Sequence, residues 1–164
     1  MKSFLKHLLI IPLIFNGVLF AQCNKYDKEL TLLKIKSQQL DSVITNAICC
    51  LKDCDYYSKA IVFSIVIIEK SDSVFIDLSA NYDLKTTLIF EQYVNLYGCF
   101  YYKEHLFVVF LNNPPINFFE TTKSKRKFVI HDIGSPVSDY PEWLYLYTSN
   151  KFILKKLVNE CGNK

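Results

Sequence analysis

Glycine is scarce in this chain, four residues in 164, and that scarcity removes collagen-like repeats, glycine-rich linkers and the loops that cradle phosphates. Arginine is scarcer still: Arg126 stands alone among nineteen lysines and arginines. A nucleic-acid binder relies on guanidinium groups for bidentate contacts to phosphates and bases, so nucleic acid is not an expected partner. Histidine occurs three times, at positions 7, 105 and 131, and no Cys-x-x-Cys occurs, so the six cysteines lack zinc spacing. No Asn-x-Ser/Thr acceptor is present, and neither a metal nor a cofactor is expected. The remaining chain is 51% hydrophobic and 15% aromatic with 21% charge. That is enough apolar matter for one packed domain and too much for a disordered one.

The N-terminus explains part of that hydrophobicity. Lys2 and Lys6 precede an apolar run from Leu8 to Phe20, interrupted at Asn16 and Gly17, and Ala21 follows as a small residue. A basic head, a short apolar centre and a small cleavage residue form a secretory signal peptide. A membrane span requires about 20 apolar residues, and this run is shorter. The expected organisation is therefore a signal peptide at 1–21 and a single domain at 22–164, secreted or periplasmic, with no membrane span after cleavage near Ala21. Lipidation at Cys23 is the weaker alternative, because Gln22 interrupts the run of small residues such sites resemble. Loss of Lys2 and Lys6 leaves a nearly neutral chain, which again gives no electrostatic case for nucleic acid.

Cys23, Cys49, Cys50, Cys54, Cys99 and Cys161 all follow the leader, and an even count in an exported chain predicts disulfides. Cys49 and Cys50 are neighbours with Cα atoms about 3.8 Å apart, too close to bond each other. Tyr26, Leu30, Leu33, Ser37, Leu40, Ile44, Ala47 and Leu51 step by threes and fours, which predicts one long amphipathic helix with Ser37 as the single break. Such a helix separates Cys23 from Cys49 to Cys54 by roughly 40 Å at about 1.5 Å per residue. Cys23 is then left with Cys99 or Cys161, and four candidate pairings remain of the fifteen that six cysteines allow.

From Ala60 the period changes. Ala60 to Ile68 is nearly all apolar and Val74 to Ser79 alternates, which predicts a hairpin across Glu69 to Ser73. Tyr82 to Tyr97 has helical spacing, with Gly98 as its stop. Cys99 to Tyr102 and Leu106 to Leu111 predict a second hairpin around Lys103, Glu104 and His105. A long loop is expected from Asn112 to Ser124, a strand near Lys127 to His131, and a further loop from Asp132 to Glu142. Trp143 to Thr148 reads as a strand, with Phe152 to Val158 as its partner or a short final helix. The expected class is α+β, a long N-terminal helix packed on a mostly antiparallel, disulfide-stapled sheet of five to seven strands. In plan only, this is similar to cystatin-like domains; the likeness covers no motif and implies no activity.

Catalytic chemistry has thin support. His131 and Asp132 stand near Gly134 and Ser135, but the Gly-x-Ser-x-Gly elbow is missing, and no nucleophile, base and orienter converge. Two surfaces are better candidates for binding. Ile116, Phe118 and Phe119 followed by Lys123, Lys125 and Arg126 form an apolar loop tip beside a basic patch. Trp143, Tyr145 and Tyr147 share one face of a strand, where a glycan ring would stack. The expected function is a small exported module that binds another protein, of inhibitor or immunity type. A carbohydrate-binding module is the alternative, and a small hydrolase comes third.

Overall fold

A computed structural model describes residues 26–52, 62–71, 73–81, 83–90, 95–111, 118–130 and 141–158. Its elements run β1 (Tyr26–Ile35), α1 (Gln38–Lys52), β2 (Val62–Lys70), β3 (Ser73–Asn81), α2 (Leu84–Phe90), β4 (Leu96–Tyr102), β5 (His105–Leu111), β6 (Phe119–Ile130), β7 (Glu142–Thr148) and β8 (Lys151–Val158). All eight strands join one sheet in the order β6-β1-β4-β5-β2-β3-β7-β8. Five neighbouring pairs are antiparallel, while β1 with β4 and β2 with β5 run parallel.

This overturns the expected long helix on a smaller sheet. Residues 26–35 are a strand, and the helix begins only at Gln38. Ser37, the residue that broke the apolar stripe, is its N-cap: the Leu40 amide donates to Ser37 Oγ at 3.2 Å, and the Asp41 amide donates to the Ser37 carbonyl at 3.1 Å. The disulfide staples are overturned as well. No disulfide joins the described cysteines; Cys49 is a free thiol on the exposed side of α1, and Cys99 is a free thiol buried in β4. Cys23, Cys54 and Cys161 lie outside the described residues, as do the expected leader and its cleavage site.

The stapling function falls to two apolar layers. On one face, Leu40, Val43, Ile44, Ala47, Ile48 and Leu51 of α1 press onto the centre of the sheet. There Phe100, Phe107 and Phe63 of β4, β5 and β2 stack side by side, with ring centroids 5.0 and 4.5 Å apart and planes within 6°. Such contacts add about 0.5–1.5 kcal/mol each beyond burial. Thr45 and Tyr102 hydroxyls, 2.9 Å apart, tie the helix to β4. On the other face Leu84 and Leu88 of α2 cover a second cluster built from Val62, Val66, Cys99, Leu106, Val108 and Phe110. The central strands are thus apolar on both faces, which explains the unbroken run in β2.

The two predicted hairpins are present. β2 and β3 pair from Val62 opposite Asn81 to Lys70 opposite Ser73. β4 and β5 close through Lys103 and Glu104, both at positive φ, the geometry of a two-residue hairpin turn. Of the helix expected over 82–97, Leu84–Phe90 is helical, but Leu96 already belongs to β4, and Gly98 lies inside that strand rather than stopping a helix. A Cβ on Gly98 would lie 2.5 Å from the Thr31 carbonyl oxygen and 2.9 Å from Leu33 Cγ, so glycine is needed where β1 approaches β4. The expected loop to Ser124 is also corrected, since β6 begins at Phe119. Its register against β1 slips around Leu32, where the Thr122 hydroxyl donates to the Leu32 carbonyl at 2.8 Å and accepts from the Ser124 amide at 3.2 Å.

Candidate functional site

A groove of about 800 Å³ opens between α1 and the C-terminal hairpin. One wall is the outward flank of α1, with Ser42, Val43, Asn46 and Cys49; the floor is Trp143 and Tyr145 of β7 and Phe152, Leu154 and Leu157 of β8. Strand alternation puts these residues there. Tyr147, Tyr145 and Trp143 pair with Phe152, Leu154 and Leu157 in register, and a bulge at the Leu144/Tyr145 step leaves Lys155 as the extra residue. The hairpin turns at Ser149 and Asn150, both at positive φ, and the Tyr147 hydroxyl donates to Asn150 Oδ1 at 2.6 Å.

The groove is floored in depth and open at its edge. Trp143 is 3% exposed and Tyr145 9%, because α1 covers them, whereas Leu154 is 48% exposed. Burial, with a smaller effect from Cys50, pushes the Tyr145 hydroxyl up to about 12, so it stays protonated across the physiological range. An aromatic cluster of Phe118, Tyr147 and Phe152, with centroids 4.9 to 5.6 Å apart, stiffens the turn end.

The residues expected to bind divide unevenly. Trp143, Tyr145 and Tyr147 do share a face, but it is the core face, and two of the three are covered. Phe118 and Phe119 are buried under α1 rather than held at a loop tip, and Ile116 lies outside the described residues. Lys123 is exposed in the β6 irregularity. Lys125 Nζ lies 3.4 Å from Glu29, and Arg126 lies over the Tyr101 ring at 4.7 Å and within 5.8 Å of the Phe128 ring. His131, Asp132, Gly134 and Ser135 lie outside the described residues. His105 packs edge-on to Phe63 at 5.4 Å, and its buried Nδ1 has no hydrogen-bond partner. Among the described residues no three His, Cys, Asp or Glu side chains gather to hold a metal, and no helix is long and apolar enough to cross a membrane.

Phe152, Leu154 and Leu157 were missed as site residues. Their signal is present in the sequence: an apolar triplet between Lys151 and the Lys155-Lys156 pair, after a turn at Ser149 and Asn150.

On the opposite face a polar patch crosses β3, β7 and β8. Asp77 is pushed up to about 6 by burial first and by the charge of Glu142 second, against a Ser79 hydrogen bond at 3.3 Å and the charge of Lys156. What the fold and groove define, among the described residues, is an eight-stranded mixed sheet with a helix on each face and β8 at one edge. No family model, no curated protein and no solved structure matches this chain.

Proposed function

We propose that this chain is a non-catalytic module that binds another protein, through the groove between α1 and β8. Residues 1–21, with their basic head and short apolar run, support an exported setting. The observation that carries the reading is the exposure of Leu154 on an edge strand, at the rim of a preformed apolar groove. Single exposed apolar residues are ordinary on a protein surface, but Leu154 continues the apolar groove lined by Phe152 and Leu157 out to a strand that pairs on one side only among the described residues, and such a surface is one that a partner covers. A glycan platform has less support. Sugar stacking requires an open aromatic face, and Trp143 and Tyr145 lie beneath α1.

The test immobilises the full chain and compares the proteins captured by wild type and by Leu154→Asp, with circular dichroism to show that both fold. The expected result is selective loss of a partner that wild type retains. An unchanged set of captured proteins, or glycan-array binding that disappears in Trp143→Ala, would overturn the proposal.

A further inference from the structure

Resting on that reading, we infer that β8 receives an added strand: an extended segment of the partner protein, apolar at its centre and acidic at its ends. The two sheet edges are not equivalent. β6 is irregular at Thr122 to Ser124, and Lys125 and Lys127 turn back to Glu29 and Asp27 of β1. Among the described residues β8 is paired to β7 on one side only, which leaves its outward N–H and C=O groups for an added strand.

Charge and apolar surface on β8 select the occupant. Phe152, Ile153 and Leu154 are bracketed by Lys151 on one side and Lys155 and Lys156 on the other, with no acid anywhere in Lys151–Val158. Lys156 shares the field of Asp77. No carboxylate among the described residues lies in ion-pair range of Lys151 or Lys155. An incoming strand with Asp or Glu at both ends meets these ammonium groups, while its central residues seat against Leu154 and Phe152 at the open rim of the groove.

A second copy of this chain fits worse. Antiparallel self-pairing centred on the apolar triplet sets Lys151 opposite Lys155 or Lys156, and parallel pairing in register sets each lysine beside its own copy. Like charges directly opposite one another disfavour both arrangements.

The experiment pans a random 12-residue display library against the immobilised full chain, then measures the best synthetic peptide by fluorescence polarisation and amide exchange. The expected consensus has alternating apolar residues flanked by Asp or Glu. Bound peptide slows exchange within 151–158. Affinity falls at least about tenfold in Leu154→Asp and weakens with added salt. Lys151→Glu/Lys155→Glu loses the acidic peptide and gains a peptide with lysines in place of its acids, a swap that a misfolded variant would not show.

Selected peptides without acidic bias, protection elsewhere in the sheet, or no selected peptide would each overturn the inference. So would a dimer in sedimentation whose β8 amides are protected. If wild type captures a protein partner that Leu154→Asp loses while the peptide results fail, the acidic-strand inference is wrong and the binding module stands. If no such partner is found either, both fall.

Discussion

Gly98→Ala should destabilise the fold far more than a single methyl group ordinarily does. The added Cβ would sit 2.5 Å from the Thr31 carbonyl oxygen and 2.9 and 3.0 Å from Leu33 Cγ and Cδ2. Leu33 is a side chain and yields by a rotamer change, although it is itself buried under α1. The carbonyl is backbone, and moving it shifts the strand that carries it. Alanine restricts the unfolded chain and so recovers about 0.4–1 kcal/mol. Overpacking in a closed site costs about 1–3 kcal/mol, and the immovable partner argues for the upper end, which leaves a net loss of about 2 kcal/mol. The loss should be local in origin. β1 meets β4 at Leu32 opposite Cys99, and this junction attaches β1 and β6 to the remaining six strands. Urea unfolding should show a midpoint lowered by about 1 M, given slopes of about 1–3 kcal/mol per molar. Native-state amide exchange should quicken first in Tyr26–Ile35 and Phe119–Ile130. A stability within about 0.5 kcal/mol of wild type would refute the steric reasoning, and uniform quickening across all strands would refute the junction.

Ser37→Ala removes the acceptor of the Leu40 amide and should cost about 1 kcal/mol, read as a lower thermal midpoint with Ser37→Gly nearer wild type. Asp77 has a folded pKa of about 6 against an ordinary value of 3.8, so between those values the folded chain binds more protons than the unfolded one. Its contribution to stability is full below the ordinary value and is lost as pH rises through about 6. Asp77→Asn should therefore gain on wild type when denaturant midpoints are compared from about pH 4.5 to about pH 7.5, and a difference independent of pH would contradict this. Cys99 is buried and its thiol is pushed up to about 11, while Cys49 is exposed. Iodoacetamide on the native chain should alkylate Cys49 and spare Cys99 until urea unfolds it; equal labelling rates by peptide mass would refute the buried placement.

Local pattern revealed the hairpins and misled at the N-terminus, for physical reasons that separate the two. Val74 to Leu78 alternates with a period that only a strand half-covered on one side produces, and its partner precedes it by a short polar turn. Leu30 and Leu33 fit the helical stripe of Leu40, Ile44, Ala47 and Leu51, yet they bury in opposite layers, Leu30 with the α2 cluster and Leu33 with the α1 cluster. An odd spacing on a strand reverses the face. A three-residue step therefore suits a helix with one covered side and a strand with two. Ser37 held the distinguishing information, because a serine breaking a stripe three residues before Leu40 is where a helix starts. The strand expected near Lys127 to His131 is the end of β6; its earlier part escaped notice because the Thr-Thr-Lys-Ser-Lys-Arg-Lys stretch has no apolar alternation, and β1, some ninety residues earlier, supplies its partner. The aromatic face of β7 was legible as a face. Which layer covers it depends on α1, whose placement rests on contacts distant in sequence.

Basic residues at the two edges of the sheet have opposite roles, although composition counts them alike. Across β1 and β6, Lys127 with Asp27, Lys125 with Glu29 and Lys36 with Glu120 form three ion pairs at 2.6, 3.4 and 3.9 Å, and Arg126 lies on Tyr101. Exposed pairs of this kind contribute roughly 0–1 kcal/mol each, so stability is a weak reason for them. Their geometric effect is stronger. A slip of one residue sets Lys125 and Lys127 off their carboxylates, and the Thr122 bend interrupts the outer ladder, so a twelve-residue edge is held in register and made a poor template. β8 lacks the acids for such pairing. Its lysines bound the apolar triplet on both sides and discourage contact between copies while leaving Ile153 and Leu154 accessible. Among the described residues, one edge is thus occupied by internal charge pairs while the other is framed by lysines without acids, and that difference is what the acidic-strand proposal rests on.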